Sequence, residues 1–432
     1  MTWDDVLVDG VDTIDAARWN GTITEIKTKS VSTHTHLEFS LYTTSDNWYI
    51  YVVGSTYYAK NLNTGTIDYS GADFSTIMNT VIGMMPQGGF IKIGTGTFIV
   101  TTAISTECKS IIIEGSGWGG GDSPELNPGT LIISDTTGAF YLFTFGDTSE
   151  SVRGAGIRNC MIMNNPANTE CLGAVHLLNM RHSFAEHCLI YGFELGNPTA
   201  MKAICIDGTY ARYPGGLFNR VLHNHIYFAD VGVFLGNQAN YCTIENNEFI
   251  GSGTAAATAI KFDGTGATIA SPYGCKINGN RIYNFSFTAS RGVWVSAAIA
   301  SSGRHTFINN EFSVCYINVE VTSGTDIGDC AFIGNILGAA GSSIFTDNGN
   351  VKSKMVHNKG YITDNSGAVS KADGATVTHG LATTPTAVNV NASVANEFVS
   401  VTALSSTTFT VAIKKHDGSA GTSQTIYWRA WI

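Results

Sequence analysis

Charge is scarce in this chain. Asp, Glu, Lys and Arg make up 13% of its 432 residues, about half the ~25% of ordinary soluble domains. A basic excess is also missing, since 24 Lys and Arg face 34 Asp and Glu, a formal charge of −10. A protein that neutralises phosphate backbones needs the opposite balance, so no nucleic-acid partner is expected. No apolar run approaches the ~18 residues of a spanning helix, so no membrane partner is expected. Proline is rare, at 8 residues. No CxxC pair occurs, which argues against a zinc site or a redox motif. The 9 cysteines are odd in number, so at least one is unpaired unless it bonds another chain. The opening Met1-Thr2-Trp3-Asp4-Asp5 has no basic or apolar stretch and is not a secretory signal. Either a signal has been removed, or the protein leaves the cell by another route, such as lysis.

Apolar residues and glycine are plentiful, at 44% and 48 residues. Such a chain can bury a sizeable core and is not a largely disordered one. A phrase of the form apolar-x-x-Asn-x-apolar recurs through the middle. It is seen at Val221–Ile226, Ile244–Phe249, Ile277–Ile282, Phe307–Phe312 and Phe332–Leu337, with Asn358 in a last copy. Phe184–Leu189 has the same frame, with His187 in the Asn place. The Asn residues fall 23 to 33 positions apart. A second register of alternating strands keeps step with the first. It includes Ala174–Leu178, Ala203–Asp207, Gly232–Gly236, Ala259–Asp263, Gly292–Ser296, Asn318–Thr322 and Ser343–Asp347.

Period-2 alternation marks strands. A repeat this short has no room for a full βαβ crossover, so each copy reads as one turn of a parallel β-solenoid. Asn suits the sharp turn because it tolerates the left-handed conformation. Stacked at ~4.8 Å per rung, its amides can bond along the column. Cys242, Cys275 and Cys330 share the inward parity of the core residues and read as small buried hydrophobes. Phe74, Ile77, Met78, Val81, Ile82 and Met85 lie on one face of a helix, with Asp73 as N-cap. Laid across the first rung, that helix would cover an aggregation-prone open end.

Tyr69–Asp73, the helix, Gly88–Gly94 and Ile111–Gly117 together resemble the opening of the pectate-lyase-like right-handed parallel β-helix superfamily. That superfamily includes pectate lyases, polygalacturonases and viral tailspike depolymerases. The fold expected is all-β. A cap region at residues 1–60 with hairpin-like alternation (Leu37–Tyr42, Trp48–Tyr58) is followed by a right-handed parallel β-helix at 61–365. A small β-sandwich-like accessory domain at 366–432 completes it. Its role is either carbohydrate binding or an oligomerising cap, and Trp428 and Trp431 read first as core.

The resemblance implies a substrate groove along the outer face of one strand column. His176, Cys205, Phe234, Lys261, Trp294, Glu320 and Phe345 form one outward column of the second register. Phe234, Trp294 and Phe345 could stack on sugar rings. Asp207 and Asp263 lie in the neighbouring column, with Gly236 leaving space between them. Two rungs separate their backbones by roughly 9.6 Å, near the ~6.5–9.5 Å carboxylate spacing of inverting glycosidases. Ile206-Asp207-Gly208 and Phe262-Asp263-Gly264 are similar to the Asp-Gly strand end of polygalacturonases. Asp207, Asp263 and Lys261 are therefore the catalytic candidates. Glu320, Phe345, Phe234, Trp294, His176, Arg212 and Tyr213 are the substrate-binding ones. Arg212-Tyr213-Pro214 resembles the Arg-x-Pro fragment of pectate lyases.

A second face carries Glu186, His223, His225, Glu248, Arg281 and Glu311, read as a salt-bridge ladder or a Glu/His catalytic pair. The expected activity is endo-acting glycoside hydrolysis. The alternatives are β-elimination on a uronate polymer and non-catalytic glycan binding by a virus spike. No metal or cofactor is implied, except that a lyase would use Ca²⁺, for which Asp207 and Asp263 would be hard oxygen ligands. The partner expected is an oligo- or polysaccharide. The setting is extracellular or virion-associated, and the spike resemblance implies a homotrimer.

Overall fold

In a computed structural model, residues 46–118, 129–149, 151–195, 201–208, 216–253, 255–263, 272–296, 304–322, 330–338, 340–347 and 354–432 are described. The segments around Leu37–Tyr42, Arg212 and Tyr213 lie outside them. The protein is a right-handed parallel β-helix followed by two small antiparallel sheets. Sheet A has thirteen strands, from a hairpin at Asp46–Val53 and Thr56–Asn61 to Lys354–Val356. Sheet B has nine, from Gly96–Val100 to Ile336–Leu337, and sheet C nine, from Ile104–Ser105 to Ser343–Asp347. Every rung visits A, B and C in turn. A third strand of the N-terminal meander, Ile67–Gly71, pairs antiparallel with Thr56–Asn61.

Helix α1 (Phe74–Gly83) buries five of the six apolar residues that the spacing selects, and the sixth, Met85, is buried just past its C-cap, all at 5% exposure or less. Its N-cap Asp73 accepts the Ser75 amide at 2.9 Å and the Thr101 hydroxyl at 2.9 Å. The helix does more than cover apolar surface, because its polar side chains also satisfy the otherwise open backbone of the first rung. Ser75 Oγ accepts the Thr101 amide at 2.9 Å, Asn79 Oδ1 accepts the Ser105 amide at 3.2 Å, and Asn79 Nδ2 donates to Ala103 O at 2.9 Å. A sheet edge treated this way cannot pair with another chain.

The turn from sheet A to sheet B divides two jobs between adjacent residues. Asn224, Asn247, Asn280, Asn310, Asn335 and Asn358 point inward and are buried. Each Oδ1 from Asn247 onward accepts both the amide N–H and the side-chain Nδ2 of the preceding Asn, at 2.9–3.0 Å. The left-handed conformation belongs to the residue before. Asn159, His187, His223, Asn246, Asn309 and His357 have φ of 53–57° there, and Gly279 and Gly334 fill the remaining places. The sequence expectation merged these roles. It also set His187 in the inner column, where the register places Cys188, whose amide bonds Asn224 Oδ1 at 3.0 Å. Cys242, Cys275 and Cys330 are buried, as their parity suggests, and none is in a disulfide.

At the C-terminal end, Asp364–Lys371, Gln424–Trp431 and Ala387–Ala392 form one three-stranded sheet. Thr376–Thr378, Thr408–Lys415 and Glu397–Leu404 form the other. Val377, Phe409, Val411, Ile413 and Ile426 make the core between them, with Trp428 packed against it.

Replacing Asn280 by Ala leaves the Asn247 amide, the Asn247 side chain and the Ile244 carbonyl without the partners that Asn280 supplies. A buried polar group left unpaired costs roughly 1–3 kcal/mol. The Asn280→Ala variant is therefore expected to lose several kcal/mol in chemical denaturation. Lys276→Ala, on the exposed face of the same rung, should lose less than about 1 kcal/mol.

Candidate functional site

The outer face of sheet C is a chain of contacts that satisfy one another. Register pairs His176 with Cys205, Cys205 with Phe234, Phe234 with Lys261, Lys261 with Trp294 and Trp294 with Glu320. The column then continues to Thr346. Phe345 falls one place out, opposite Val319 on the inward side, and its ring contacts Phe332 and Tyr361. It is a core residue rather than a sugar platform, because the last strand enters one residue later than the alternation suggests.

The two other aromatics are also engaged. Lys202 Nζ lies 5.1 Å and Lys261 Nζ 5.8 Å from the Phe234 centroid. Trp294 has Lys261 Nζ at 4.4 Å and the Arg291 guanidinium at 4.2 Å from its centroid. The indole N–H donates to Thr322 Oγ1 at 2.9 Å, and Arg291 pairs with Glu320. Cations over ring faces compete directly with a stacking sugar.

Lys261 and Asp263 form an ion pair at 2.7 Å, with side chains 5% and 8% exposed. Breaking a buried pair of this kind costs about 3–5 kcal/mol. Spending that to free Lys261 as a base would slow a reaction by at least a hundredfold. The same ammonium on Asp263 makes Asp207 and Asp263 a poor donor set for Ca²⁺. No three His, Cys, Asp or Glu side chains among the described residues form a group that could hold a metal ion.

Asp207 is held differently. A Cβ added to Gly236 would meet Asp207 Oδ1 at 2.8 Å, so the carboxyl group itself fills the space expected to be open for a sugar. Burial pushes its pKa up, against opposing backbone N–H bonds from Gly208 and Asn237 and the charge of Lys202. Next to it, burial and Lys202 push His176 down to about 4, and burial pushes Cys205 up to about 12. Cys205 is therefore a thiol, not a nucleophilic thiolate.

The outer face of sheet B is more open. Register aligns Leu131, Met161, Leu189, His225, Glu248, Arg281, Glu311 and Ile336 in one column. Leu131, Met161 and Leu189 are buried in an apolar cluster with Trp118 on the outside of the coil. Polar residues begin at His225. Its Nδ1 lies 2.8 Å from Glu248 Oε2, which also accepts the Tyr227 hydroxyl at 2.9 Å. Arg281 NH1 is 3.4 Å from Glu248 Oε1, and its Nε is 3.9 Å from Glu311 Oε2. The Trp118 ring stands edge-on to His225, 4.8 Å between centroids, and donates its indole N–H to His187 O at 2.9 Å. His225 is 36% exposed and Arg281 61%, so solvent-borne molecules reach both.

Two members of the predicted second face lie elsewhere. His223 occupies the left-handed turn and stacks on His187 at 4.9 Å. Glu186 is on the outer face of sheet A, 3.1 Å from Arg220. Tyr227 and Trp118 were not singled out from the sequence. The alternation His225-Ile226-Tyr227, repeated in Arg281-Ile282-Tyr283, places Tyr227 on the same face. Trp118, on a connection between strands, carries no such signal.

Asp207 gives a pH-dependent signature. Its folded pKa lies above the ordinary carboxylate value of 3.8. The folded state therefore holds the proton more tightly than the unfolded state, and stability falls as pH rises from about 3.8 through the raised value. Asp207→Asn removes that penalty. Its thermal midpoint is expected to exceed wild type at pH 7, and the gap should close toward pH 3.5, measured by parallel melts.

No family model matches the sequence, and no curated protein matches it. Among solved structures, the chain is similar in fold to ORF18 of Geobacillus virus E2, with 14% identity and a TM-score of 0.47, covering 84% of each chain. It is similar to an alginate lyase from Paenibacillus sp. str. FPU-7, with 13% identity and a TM-score of 0.41, covering 65% of this chain and 98% of that one. It is also similar to a tailspike variant of E. coli bacteriophage HK620 in complex with a hexasaccharide, with 12% identity and a TM-score of 0.37, covering 83% and 89%. At these identities the likeness is one of fold, the parallel β-helix.

Proposed function

We propose that the protein cleaves a uronate-bearing polysaccharide by β-elimination on the outer face of sheet B. The observation that carries this reading is the exposed His225–Glu248–Tyr227 cluster beside Arg281. Elimination needs a cation against the uronate carboxylate and a base near the proton on the adjacent ring carbon. Arg281 is suited to the first role because its contacts with Glu248 and Glu311 are long, at 3.4 and 3.9 Å. A guanidinium also matches a carboxylate in shape. Glu248 orients His225 through Nδ1, which directs the base function to Nε2, as a carboxylate does for the imidazole in catalytic triads.

In the reaction, His225 takes the C5 proton. The C–H electron pair forms the C4–C5 double bond, and the C4–O glycosidic bond breaks. The imidazolium then returns the proton to the departing oxygen. Trp118 and the apolar patch behind it give the chain a wall on one side.

A second reading is favoured by Asp207. A carboxyl group whose pKa is raised by burial is what a glycoside hydrolase needs as general acid, with Asp263 as its partner on sheet C. Release of the protein outside a cell or on a virion suits either reading.

A panel of uronate and neutral polysaccharides separates the two. Elimination yields new reducing ends together with the near-ultraviolet absorbance of an unsaturated uronate. His225→Ala should then cut the rate by about a hundredfold or more, and Asp207→Asn should leave it unchanged. Reducing ends without absorbance, lost in Asp207→Asn and kept in His225→Ala, would move the chemistry to sheet C. Binding without cleavage on every polymer would sink both enzyme readings in favour of a glycan-binding spike.

A further inference from the structure

The last rung of the coil and the first antiparallel sheet line a cleft of about 500 Å³, beside a second space of about 420 Å³ that shares Met355, Thr363, Asp364 and Arg429 with it. That is the size range of small-molecule sites. The strand Gln424–Trp431 runs up the middle of the sheet. Its inward residues Gln424, Ile426 and Ala430 are buried, and Trp428 packs on Phe409 with centroids 5.5 Å apart. The alternate residues Tyr427, Arg429 and Trp431 therefore share the outward face. Register sets Asp364 and Ala387 beside Trp431, and Ser366 and Asn389 beside Arg429. The two tryptophans thus separate by parity: Trp428 belongs to the core, while Trp431 lines the cleft.

Arg429 holds Asp364 in a two-point pair, Nε to Oδ1 at 3.1 Å and NH2 to Oδ2 at 2.5 Å. Both side chains remain about half exposed or more, at 65% and 47%. The pair offers N–H donors and carboxylate acceptors side by side with little net charge. Adjacent ring hydroxyls, each both donor and acceptor, match that pattern. Trp431 adds an apolar surface for the C–H face of the ring, and Asn389 a further amide.

We infer that this cleft is a second glycan site, separate from the sheet B face, that binds a neutral pyranose unit through Trp431 and the Asp364–Arg429 pair. Neutrality follows from the ion pair, since Asp364 already offsets the Arg429 charge that would draw a uronate carboxylate and itself repels one. The inference holds whether or not sheet B cleaves anything, because it concerns binding by the C-terminal sheet alone.

Native gel electrophoresis of the full-length chain through dissolved polysaccharide tests it. The probes are dextran, galactomannan and xylan as largely neutral polymers, and alginate and polygalacturonate as uronate polymers. Wild type should be retarded by at least one neutral polymer. Trp431→Ala should abolish that retardation, Arg429→Ala should weaken it about tenfold, and Trp431→Phe should retain most of it. His225→Ala should be retarded like wild type, which separates this site from the proposed reaction. Melting midpoints near wild type should accompany each variant, because neither Trp431 nor Arg429 belongs to the sandwich core. Three outcomes would each overturn the inference. They are no retardation in any neutral gel, retardation unchanged in Trp431→Ala, and loss confined to the uronate gels. Sedimentation provides a fourth check. If Arg429→Ala dissociates an oligomer and leaves glycan retardation intact, the face is an interface between copies of the chain.

Discussion

The fold depends on a column of buried amides. Each ladder Asn lies at a corner where the chain turns sharply and its backbone N–H is met by a side chain rather than by a carbonyl. Its side chain provides an acceptor for two donors of the rung before and a donor for a carbonyl of an earlier strand. One side chain thus satisfies three polar groups in a buried place, as Asn280 does. The next corner can form only when the last is in position, so the column also fixes the register of all three sheets. Neutrality is essential here. A column of carboxylates or ammoniums at ~4.8 Å spacing would repel along its length and pay desolvation at every step. The scarcity of charge in the sequence follows from this constraint.

The same constraint sorts the two outer faces. On sheet C, cations and aromatics alternate from rung to rung, and each ring has a cation near it. Lys202, Phe234, Lys261, Trp294 and Arg291 form a closed series ending on Glu320. Its energy lies in contacts already made, so little is left for a ligand without breaking a buried pair. Sheet B has long contacts at Arg281 and an imidazole with one nitrogen tied to a carboxylate. A face with unspent donors and a positioned base is better prepared for chemistry than one whose cations and aromatic rings already engage one another.

Much of the architecture was legible because it repeats. The alternation and the Asn phrase gave the coil, the apolar spacing gave helix α1, and the inward parity of Cys242, Cys275 and Cys330 gave their burial. What escaped was whatever depends on a one-residue offset. Phe345 and His187 were each assigned one place wrong, because loop length shifts a strand's entry while the local pattern looks the same. A single slip exchanges inside for outside, so the error turned a core ring into a supposed sugar platform. The left-handed corner residues escaped for another reason. Histidine is not a usual choice there, and His187, His223 and His357 take φ of 53–56° because the stacked corner imposes it. The contents of sheet C were legible as residue types but not as an ensemble. A list containing Lys261, Asp263 and Trp294 reads equally as an active site or as a finished set of contacts. The 2.7 Å ion pair and the cation positions favour the second.

Repetition also explains how a coil comes to carry a localised polar window. In a solenoid, sequence distance becomes axial distance, because residues one repeat apart stand ~4.8 Å apart on the same face. The sheet B column changes from Leu131, Met161 and Leu189 to His225, Glu248, Arg281 and Glu311, and then back to Ile336. Four successive polar positions therefore span roughly 14 Å of surface, bounded by apolar rungs at both ends. The core beneath that window is unchanged, with Ile226, Phe249, Ile282 and Phe312 buried in sequence. Outward residues can thus be exchanged rung by rung at almost no cost to the coil. Trp118 sets one boundary of the window, since it covers the apolar rungs and meets His225 at the first polar one. A polar window built this way is linear and as long as the run of polar rungs.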